Sequence, residues 1–339
     1  MEKENKRFAL LVGCNYPNSQ YELHGCINDV VAMKESLVRE LGFDPKDIEV
    51  LTDEAGSSSV KPTGENIKKA LGELVDKAEA GDVLYFHYSG HGTRIPSLKP
   101  LHPIGSKDEA IVPCDFNLIT DVDFRHLVNR LAKGASLTIL SDSCHSGGLI
   151  DKEKEQVGPT SFSDSDNVDD TTNNKALKPS SSNSKPKTIP FDSILKHLTS
   201  LTNIHTSDLA THMLELFGSN SSLKFRLPHS DQAQLHRDFS NLLMRPRDNG
   251  ILLSGCQADE TSADMNPAAA GGKAFGAFSN AVQTVLKENR GKALSNKEVV
   301  IMARKVLKGN GIDHQHPCLY CSDENADLPF LMCQPTKTT

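Results

Sequence analysis

The sequence predicts an α/β protein built on a mainly parallel sheet. Apolar runs of strand length alternate with segments of about 10–15 residues in which apolar residues recur at helical spacing. This order of strand, helix and strand is typical of βαβ units, whose strands lie parallel. The runs are apolar at nearly every position, as in strands that helices cover on both faces.

The predicted elements follow one another along the whole chain. Apolar runs predict six strands, at residues 7–14, 48–51, 82–88, 137–140, 251–256 and 317–321, with a short extended piece at 109–113. Helical spacing predicts helices at residues 26–41, 62–78, 121–131, 191–201, 208–217, 231–244, 275–286 and 295–307. Gly42 provides an end for the first helix, and Pro62-Thr63 provides a capped start for the second.

One stretch has the composition of a linker. Residues 152–188 are rich in Ser, Asp, Asn, Thr, Lys and Pro and have almost no apolar side chains, which predicts a disordered segment. It separates a larger part, residues 1–151, from a smaller part, residues 189–339, and we expect the two parts to complete one sheet. The segment is either a passive spacer or a site of proteolytic cleavage. Lys175, Lys178, Lys185 and Lys187 lie in this segment, where proteolytic cleavage is easiest.

Composition and charge exclude several classes of protein. The formal net charge is −7, the isoelectric point is near 6.0 and no long basic block occurs, so we expect neither nucleic acid nor membranes as partners. The first apolar run is too short for the core of a signal peptide, and no run reaches the roughly 18 residues of a membrane helix. The eight cysteines are scattered, which indicates reduced thiols. We therefore expect a cytoplasmic protein, with nuclear and unconventional extracellular locations as the alternatives.

A cysteine and a histidine follow two of the predicted strands. Cys144 comes after the run at 137–140 and precedes a Ser-Gly-Gly turn, and His91 lies between glycines after the run at 82–88. Because the carboxyl ends of parallel strands meet at one edge of a sheet, we expect an exposed thiol beside an imidazole there. Such a pair forms a nucleophile and its base. The alternative is a buried structural cysteine and a structural histidine, which does not explain why both follow apolar runs and adjoin small residues.

Two acidic residues are expected near this thiol. Asp142 precedes Cys144 by two positions, and Asp29 lies at the end of the first βα loop. A pair of partly desolvated carboxylates would bind a Lys or Arg side chain of a substrate. The alternative is that Asp142 is a solvated or helix-capping carboxylate.

Two clusters contain candidate metal ligands. Lys107-Asp108-Glu109 and Asp151 offer the oxygen ligands that calcium takes, but Lys107 places a positive charge among them, which favours a surface acidic turn. The stretch His314-Gln315-His316-Pro317-Cys318-Leu319-Tyr320-Cys321 contains four zinc-type ligands. It lacks the loop of roughly 12 residues that separates the ligand pairs of zinc fingers, which favours a core strand with incidental thiols.

Four motifs together resemble those of a known family. They are His87-Tyr88-Ser89-Gly90-His91-Gly92, Asp142-Ser143-Cys144-His145-Ser146-Gly147-Gly148, Cys26-Ile27-Asn28-Asp29 and Ser254-Gly255-Cys256-Gln257-Ala258-Asp259-Glu260-Thr261. The motifs resemble those of the metacaspases, in particular the type II metacaspases of plants, and span nearly the whole chain apart from the linker. The separation of about 50 residues between His91 and Cys144 is also that of caspases. The resemblance implies a caspase-like α/β/α sandwich with a six-stranded, mostly parallel sheet.

The resemblance further implies a cysteine endopeptidase that cleaves after Arg or Lys. It implies His91 as the base and Cys144 as the nucleophile, with the backbone N–H groups of Gly92 and Cys144 as the oxyanion hole. It also implies a pocket for the basic side chain of the substrate, formed by Asp29, Asp142, Cys26 and Ser89.

The family is made as a zymogen that is cut in the linker after a basic residue. We expect the cut after Lys187, with Lys185 and Lys178 as the alternatives. Many members bind activating calcium through two adjacent aspartates, where this chain has Lys107-Asp108. We therefore expect weak or no calcium dependence and no required cofactor.

The resemblance also implies the partners and the role. The expected partners are protein or peptide substrates with Arg or Lys at the cleaved position, together with protease inhibitors. The family is usually monomeric and acts in programmed cell death, and we expect the same here. Two rival functions are a catalytically silent scaffold with the same fold and a zinc-binding interaction protein.

Overall fold

A mostly parallel sheet forms the centre of the structure. The computed structural model describes residues 5–56, 59–97, 106–145, 147–150, 155–158, 184–226, 250–257, 260–267 and 272–333. The strands of this part of the chain are β1 (Arg7–Gly13), β2 (Ile48–Thr52), β3 (Val83–Ser89), β4 (Gly92–Pro96), β5 (Lys107–Ile111), β6 (Ile119–Thr120), β7 (Ser136–Asp142), β8 (Glu155–Val157), β9 (Ser184–Pro186), β10 (Gly250–Ser254), β11 (Ala263–Met265), β12 (Phe275–Gly276) and β13 (Cys318–Tyr320).

The central sheet has seven strands in the order β2-β1-β3-β7-β10-β13-β8. The first five of these are mutually parallel, whereas β13 runs antiparallel to β10, and β8 runs antiparallel to β13. The predicted α/β class with a mostly parallel sheet is confirmed, but the predicted count of six strands was wrong. The additional strand, β8, comes from the stretch predicted to be linker. It is three residues long and buries only Val157, so its apolar pattern is too short to be recognised in the sequence.

Helices cover both faces of this sheet. The helices of the described residues are α1 (Cys26–Arg39), α2 (Gly64–Asp76), α3 (Asp121–Arg130), α4 (Phe191–Thr202), α5 (Leu209–Phe217), α6 (Leu223–Arg226), α7 (Ala277–Glu288), α8 (Asn296–Gly309) and α9 (Asp323–Asp327). Thr63 caps α2, since its side chain accepts a hydrogen bond from the backbone N–H of Asn66 at 3.2 Å. The predicted helix at 231–244 lies outside the described residues. Within the described part of the chain, no helix has the length and apolar character needed to cross a membrane.

The core has two apolar layers, one on each side of the sheet. On one side, Phe86 of β3 belongs to the cluster that contains Leu71 of α2 and Phe124 of α3. On the other side, Tyr85 belongs to the cluster that contains residues of α1, α7 and α8. Successive side chains of β3 thus pack into opposite layers, as expected for a strand covered on both faces. The predicted α/β/α sandwich is confirmed.

Two small sheets stand beside the central one. The first has the order β4-β5-β6, and the second has the order β12-β11-β9. The helices α4, α5 and α6 pack against the first small sheet through a third apolar cluster, which includes Ile95 of β4 and Leu198 of α4. These helices follow the predicted linker in sequence, yet they pack on strands that precede it.

A buried lysine attaches this helical segment to the larger part of the chain. The ammonium group of Lys224 on α6 contacts the carboxylate of Asp108 on β5 and lies 3.0 Å from that of Asp121 on α3. All three side chains are buried. Beside them, the carboxylate of Asp123 accepts a hydrogen bond from the backbone N–H of Leu223 at 3.0 Å. The segment is therefore held by charge pairing as well as by apolar contact.

We expect the substitution Lys224→Met to lower the free energy of unfolding by about 3–5 kcal/mol, because it removes the buried ammonium that pairs with two buried carboxylates. Urea denaturation followed by circular dichroism measures this change. Lys46→Met is a matched control, since Lys46 pairs with Asp44 at the surface and such pairs contribute little. Equal effects of the two substitutions would show that the buried cluster contributes no more than a surface ion pair.

Candidate active site

The carboxyl ends of β3 and β7 lie side by side in the central sheet. The two strands pair in parallel, with Ser89 opposite Asp142 at their last residues. His91 follows Ser89 by two positions, and Cys144 follows Asp142 by two positions. The register of this one strand pair therefore brings the histidine and the cysteine to the same edge of the sheet.

Gly92 allows the two segments to come into close contact. A Cβ atom at Gly92 would lie 1.8 Å from the carbonyl oxygen of Cys144. Because this distance is far below van der Waals contact, only glycine fits at this position. The absence of a side chain thus lets the backbone after His91 lie directly against the backbone of Cys144.

The Cys144 side chain is completely buried. Its Sγ accepts a hydrogen bond from the backbone N–H of Ser262 at 3.0 Å and lies 3.6 Å from the carbonyl oxygen of the same residue. The expectation of an exposed thiol was wrong for this form of the chain. The physical reason is that Ser262, which precedes β11, and Lys187, which follows β9, both contact Cys144.

The orientation of the His91 ring follows from its hydrogen bond. Nε2 lies 2.7 Å from the carbonyl oxygen of Tyr21. A carbonyl only accepts, so Nε2 carries the proton and Nδ1 of the neutral ring is the basic nitrogen. The Tyr16 ring lies with its centroid 4.8 Å from that of His91. Burial lowers the pKa of His91 to about 4, and the charge of Lys187 contributes to the lowering, so the imidazole is neutral at pH 7.

The backbone of Lys187 lies across the cysteine and the histidine. The carbonyl oxygen of Lys187 accepts hydrogen bonds from the backbone N–H groups of Gly92, at 3.0 Å, and Cys144, at 3.1 Å. The N–H of Lys187 donates to the carbonyl oxygen of Ser262 at 2.8 Å. The preceding residues form β9, which pairs antiparallel with β11. Two converging N–H donors on one carbonyl oxygen are the arrangement that stabilises an oxyanion.

The side chain of Lys187 enters a buried acidic pocket. Its ammonium group lies 3.1 Å from Asp142 Oδ2 and 3.4 Å from Asp29 Oδ2, and it donates to Ser89 Oγ at 2.9 Å. Ser89 Oγ donates in turn to Asp29 at 2.7 Å. Cys26 is also buried here, and burial raises the pKa of its thiol while the charge of Lys187 opposes this. All four predicted pocket residues therefore surround one ammonium group.

Three residues of the pocket have no recognisable signal in the sequence. The backbone N–H of Gly276 donates to Asp29 Oδ1 at 2.8 Å, and a Cβ atom at Gly276 would lie 2.1 Å from the ammonium nitrogen of Lys187. The carboxylate of Asp142 accepts hydrogen bonds from the hydroxyl of Ser262 and from the backbone N–H of Ser279. These residues lie in β12, directly before β11 and in α7, all more than 100 positions after Asp142.

The two carboxylates of the pocket differ in their protonation. Burial alone would raise the pKa of Asp142, but the ammonium of Lys187 and the hydrogen bond from Ser262 hold it below its usual range. Burial raises the pKa of Asp29 to about 6, and Lys187 opposes this only in part. Burial alone would lower the pKa of Lys187, but Asp142 raises it. The pocket therefore contains a stable Lys187–Asp142 ion pair, and Asp29 is the carboxylate that takes up a proton first.

Comparison with known proteins identifies the family. A family model described as the metacaspase, peptidase C14 domain, matches residues 6–153. The chain is 61% identical to Metacaspase-9 of Arabidopsis thaliana, over 96% of this chain and 97% of the relative. It is 39% identical to Metacaspase-6 of the same plant, over 95% and 99%. The chain belongs to the metacaspases. This metacaspase is therefore a cysteine-type peptidase, and a Cys/His pair is characteristic of its family.

A solved structure supports the fold independently. A crystal structure of a Geobacter sulfurreducens protein aligns with this metacaspase at a TM-score of 0.53, over 97% of this chain and 100% of that chain. The two sequences are only 17% identical, so the match concerns the fold alone.

The three candidate cleavage lysines of the metacaspase differ in position. Lys187 alone among the described candidates lies in the acidic pocket. Lys185 is exposed, and its ammonium group donates to the carbonyl oxygen of Glu22 at 2.9 Å. Lys178 lies outside the described residues. The predicted linker is also partly strand, since Glu155–Val157 and Ser184–Pro186 form β8 and β9.

The candidate calcium ligands are already paired within the protein. Asp108 is ion-paired with Lys224, and Glu109 accepts a hydrogen bond from the backbone N–H of Gly148. The expectation that Lys107 supplies the positive charge was wrong, because Lys107 is exposed and the buried cation is Lys224. The favoured interpretation as a surface acidic turn was wrong as well, since Asp108 and Glu109 lie in β5 and are buried. Asp151 lies outside the described residues.

The candidate zinc ligands do not face one common site, and each has different surroundings. His316 is paired with Glu260, and Cys318 lies in β13 with its Sγ 3.7 Å from Arg304 Nη2. His314 is exposed. In the described ranges, no three His, Cys, Asp or Glu side chains group in a way that would hold a metal ion. The interpretation of this stretch as a core strand with incidental thiols agrees with the position of β13 in the central sheet.

The pKa of His91 makes the folded state sensitive to acid. The unfolded chain binds a proton at His91 below about pH 6.5, whereas the folded chain keeps the ring neutral down to about pH 4. Stability is therefore lost as pH falls through this window. Between pH 7 and pH 4, we expect the free energy of unfolding of His91→Gln to fall by roughly 3 kcal/mol less than that of the wild type. Urea unfolding of both proteins between pH 7 and pH 4 measures it, and parallel profiles for the two would contradict the assigned pKa.

Proposed function

We propose that this metacaspase is an endopeptidase that cleaves after Lys or Arg and that it is made as a zymogen cut after its own Lys187. The observation that carries the proposal is the position of Lys187. Its ammonium lies between Asp29 and Asp142, while its carbonyl oxygen accepts two N–H groups beside the thiol of Cys144. A peptide bound in this way is placed as a substrate, with the Lys187–Thr188 bond as the one to be cut.

The acidic pocket accounts for the preference for a basic side chain. A lysine or arginine of a substrate would replace the ammonium of Lys187 and neutralise charge at the two carboxylates. A neutral side chain would leave both carboxylates buried without a counter-charge, which is strongly unfavourable. An acidic side chain would add a third negative charge.

The reaction uses the groups that surround the carbonyl of Lys187. His91 Nδ1 takes the proton of the Cys144 thiol, and the thiolate attacks the carbonyl carbon of the basic residue. The N–H groups of Gly92 and Cys144 hold the negative charge that develops on the oxygen. The imidazolium then gives its proton to the leaving amine, the amide bond breaks and a thioester remains. Water activated by His91 hydrolyses the thioester and regenerates the thiol.

The uncut chain blocks its own cleft. Residues of β9 occupy the place on β11 where a substrate strand would pair, and Lys187 fills the pocket. Cleavage would divide the chain into residues 1–187 and 188–339, close to the parts predicted on either side of the linker. Both parts contribute strands to the central sheet, so they are expected to remain together after the cut.

Further properties belong to the same proposal. Lys224 already neutralises Asp108, which supports weak or absent calcium dependence.

The expected partners are substrates with Lys or Arg at the cleaved position and inhibitors that present the same residues, and the active species is a monomer. None of the eight cysteines, all of which lie in the described part of the chain, forms a disulfide bond, which supports a reducing compartment such as the cytosol.

Self-cleavage tests this proposal directly. We expect the purified wild-type protein to give a fragment that begins at Thr188, both in chelator and in added calcium. Cys144→Ala and Lys187→Gln should remain uncut, since one lacks the nucleophile and the other lacks the bound cation. Lys185→Gln is the matched control and should be cut like the wild type. Intact-mass analysis and amino-terminal sequencing identify the fragments, and a Thr188 fragment from Cys144→Ala would reject the nucleophile.

The acidic pocket can be tested on substrates supplied in solution. We expect Asp142→Asn to lower kcat/KM for a peptide coumarin amide ending in Lys by at least about 100-fold, because the ammonium loses its ionised partner. Asp76→Asn, which removes a surface carboxylate, serves as the control. An unchanged preference for Lys over norleucine in Asp142→Asn would remove this residue from the pocket.

A further inference from the structure

The chain beyond Lys187 is held in a second binding region. The backbone N–H of Ile189 donates to the carbonyl oxygen of Gly92 at 3.1 Å, and the carbonyl oxygen of Ile189 accepts from the hydroxyl of Thr93 at 2.8 Å. Thr93 is completely buried, and Gly92 also forms a parallel bridge with Thr188. Both backbone polar groups of Ile189 are therefore bound by the first two residues of β4.

The side chain of Ile189 fills an apolar pocket. Ile189 is completely buried and belongs to the cluster that also contains Ile95 of β4, Val112 after β5 and Leu198 of α4. Burial in such a cluster favours a branched aliphatic side chain over glycine, which loses the apolar contact. It excludes aspartate, whose charge would be buried without a partner.

The walls of this pocket do not depend on the bond after Lys187. One wall belongs to β4 and β5, and the other belongs to the helical segment α4–α6. That segment is fixed by the ion pairs of Lys224 with Asp108 and Asp121. After cleavage only residues 188–190, which precede α4, need to move for the pocket to become vacant.

We propose that Gly92, Thr93 and this apolar cluster form a substrate subsite for the second residue after the cleaved bond, and that the subsite selects a branched aliphatic residue. The proposal rests on the proposed function, because it takes Lys187–Thr188 as the bond that is cut. Thr93 is then a substrate-binding residue. This subsite acts on the substrate residue two positions after the basic one. Its selectivity adds to that of the acidic pocket for the basic residue.

The experiment compares substrates that differ only at this position. The self-processed, full-length enzyme is given internally quenched peptides Ser-Lys-Pro-Lys-Thr-Xaa-Pro-Phe with Xaa as Ile, Gly or Asp. The coumarin amide Ser-Lys-Pro-Lys, which has no amino acid beyond the cleaved bond, is the reference. We expect kcat/KM for the Ile peptide to exceed the values for the Gly and Asp peptides by about tenfold or more. In Thr93→Val, the ratio of kcat/KM for the Ile peptide to that for the amide should fall several-fold, through a higher KM.

The outcomes separate the two proposals. If the amide is cleaved but the three peptides have equal kcat/KM values, the subsite is overturned and the proposed function stands. If Thr93→Val lowers kcat/KM equally for the Ile peptide and the amide, Thr93 is not a ligand of the second residue. If neither the amide nor any peptide is cleaved, the proposed function is overturned, and the subsite with it. The comparison of the three peptides uses wild-type enzyme and does not depend on how Thr93→Val folds.

Discussion

The ion pairing of Lys187 in a buried pocket is the interaction on which the arrangement of the active site depends. It joins Asp29, from the first turn of α1, with Asp142, from the end of β7. Gly276 and Ser279 fix the same two carboxylates from the far end of the chain. Two carboxylates buried without a counter-charge would cost several kcal/mol, so a cation inside stabilises the pocket. The uncut chain supplies that cation itself, and by doing so it covers the thiol.

Much of this arrangement follows from features that lie close together in the sequence. The runs that become β3 and β7 are continuously apolar, so their parallel pairing, and with it the shared edge beyond Ser89 and Asp142, can be predicted. Contacts between distant segments cannot be predicted in this way. No local pattern indicates that Gly276 closes the pocket or that Lys224, rather than Lys107, neutralises Asp108. The burial of Cys144 could not be predicted either, because it depends on a segment whose composition indicates disorder.

Two buried lysines have complementary effects on the chain around the proposed cut. Lys187 holds the segment before the bond and, under the proposed function, would have to leave its pocket before another peptide can enter. Lys224 holds the helical segment after the bond through its ion pairs with Asp108 and Asp121. Because these pairs do not include residues beside the bond, we expect them to be kept after a cut. The proposed break after Lys187 would thus free a short tail at residues 188–190 and the end of β9, and we expect the sheet and the helices to remain in place. The change expected on cleavage is local because the two sides of the bond are held by separate ion pairs, those of Lys187 before it and those of Lys224 after it.

Protons compete with Lys187 for the same site. Burial raises the pKa of Asp29 to about 6 while Lys187 is bound, and Lys187 opposes part of this rise. Release of Lys187 removes that opposition but also admits water to the pocket, and water lessens the burial that raises the pKa of Asp29, so the two effects on Asp29 oppose each other. The two effects act together on His91, because burial and the charge of Lys187 both lower its pKa, to about 4 in the closed form, and release of Lys187 lessens both. A form that binds more protons gains relative stability as pH falls. Protonation of His91 therefore weakens the hold of the closed form on Lys187 at acidic pH, and it requires no change in the sheet that positions the ring.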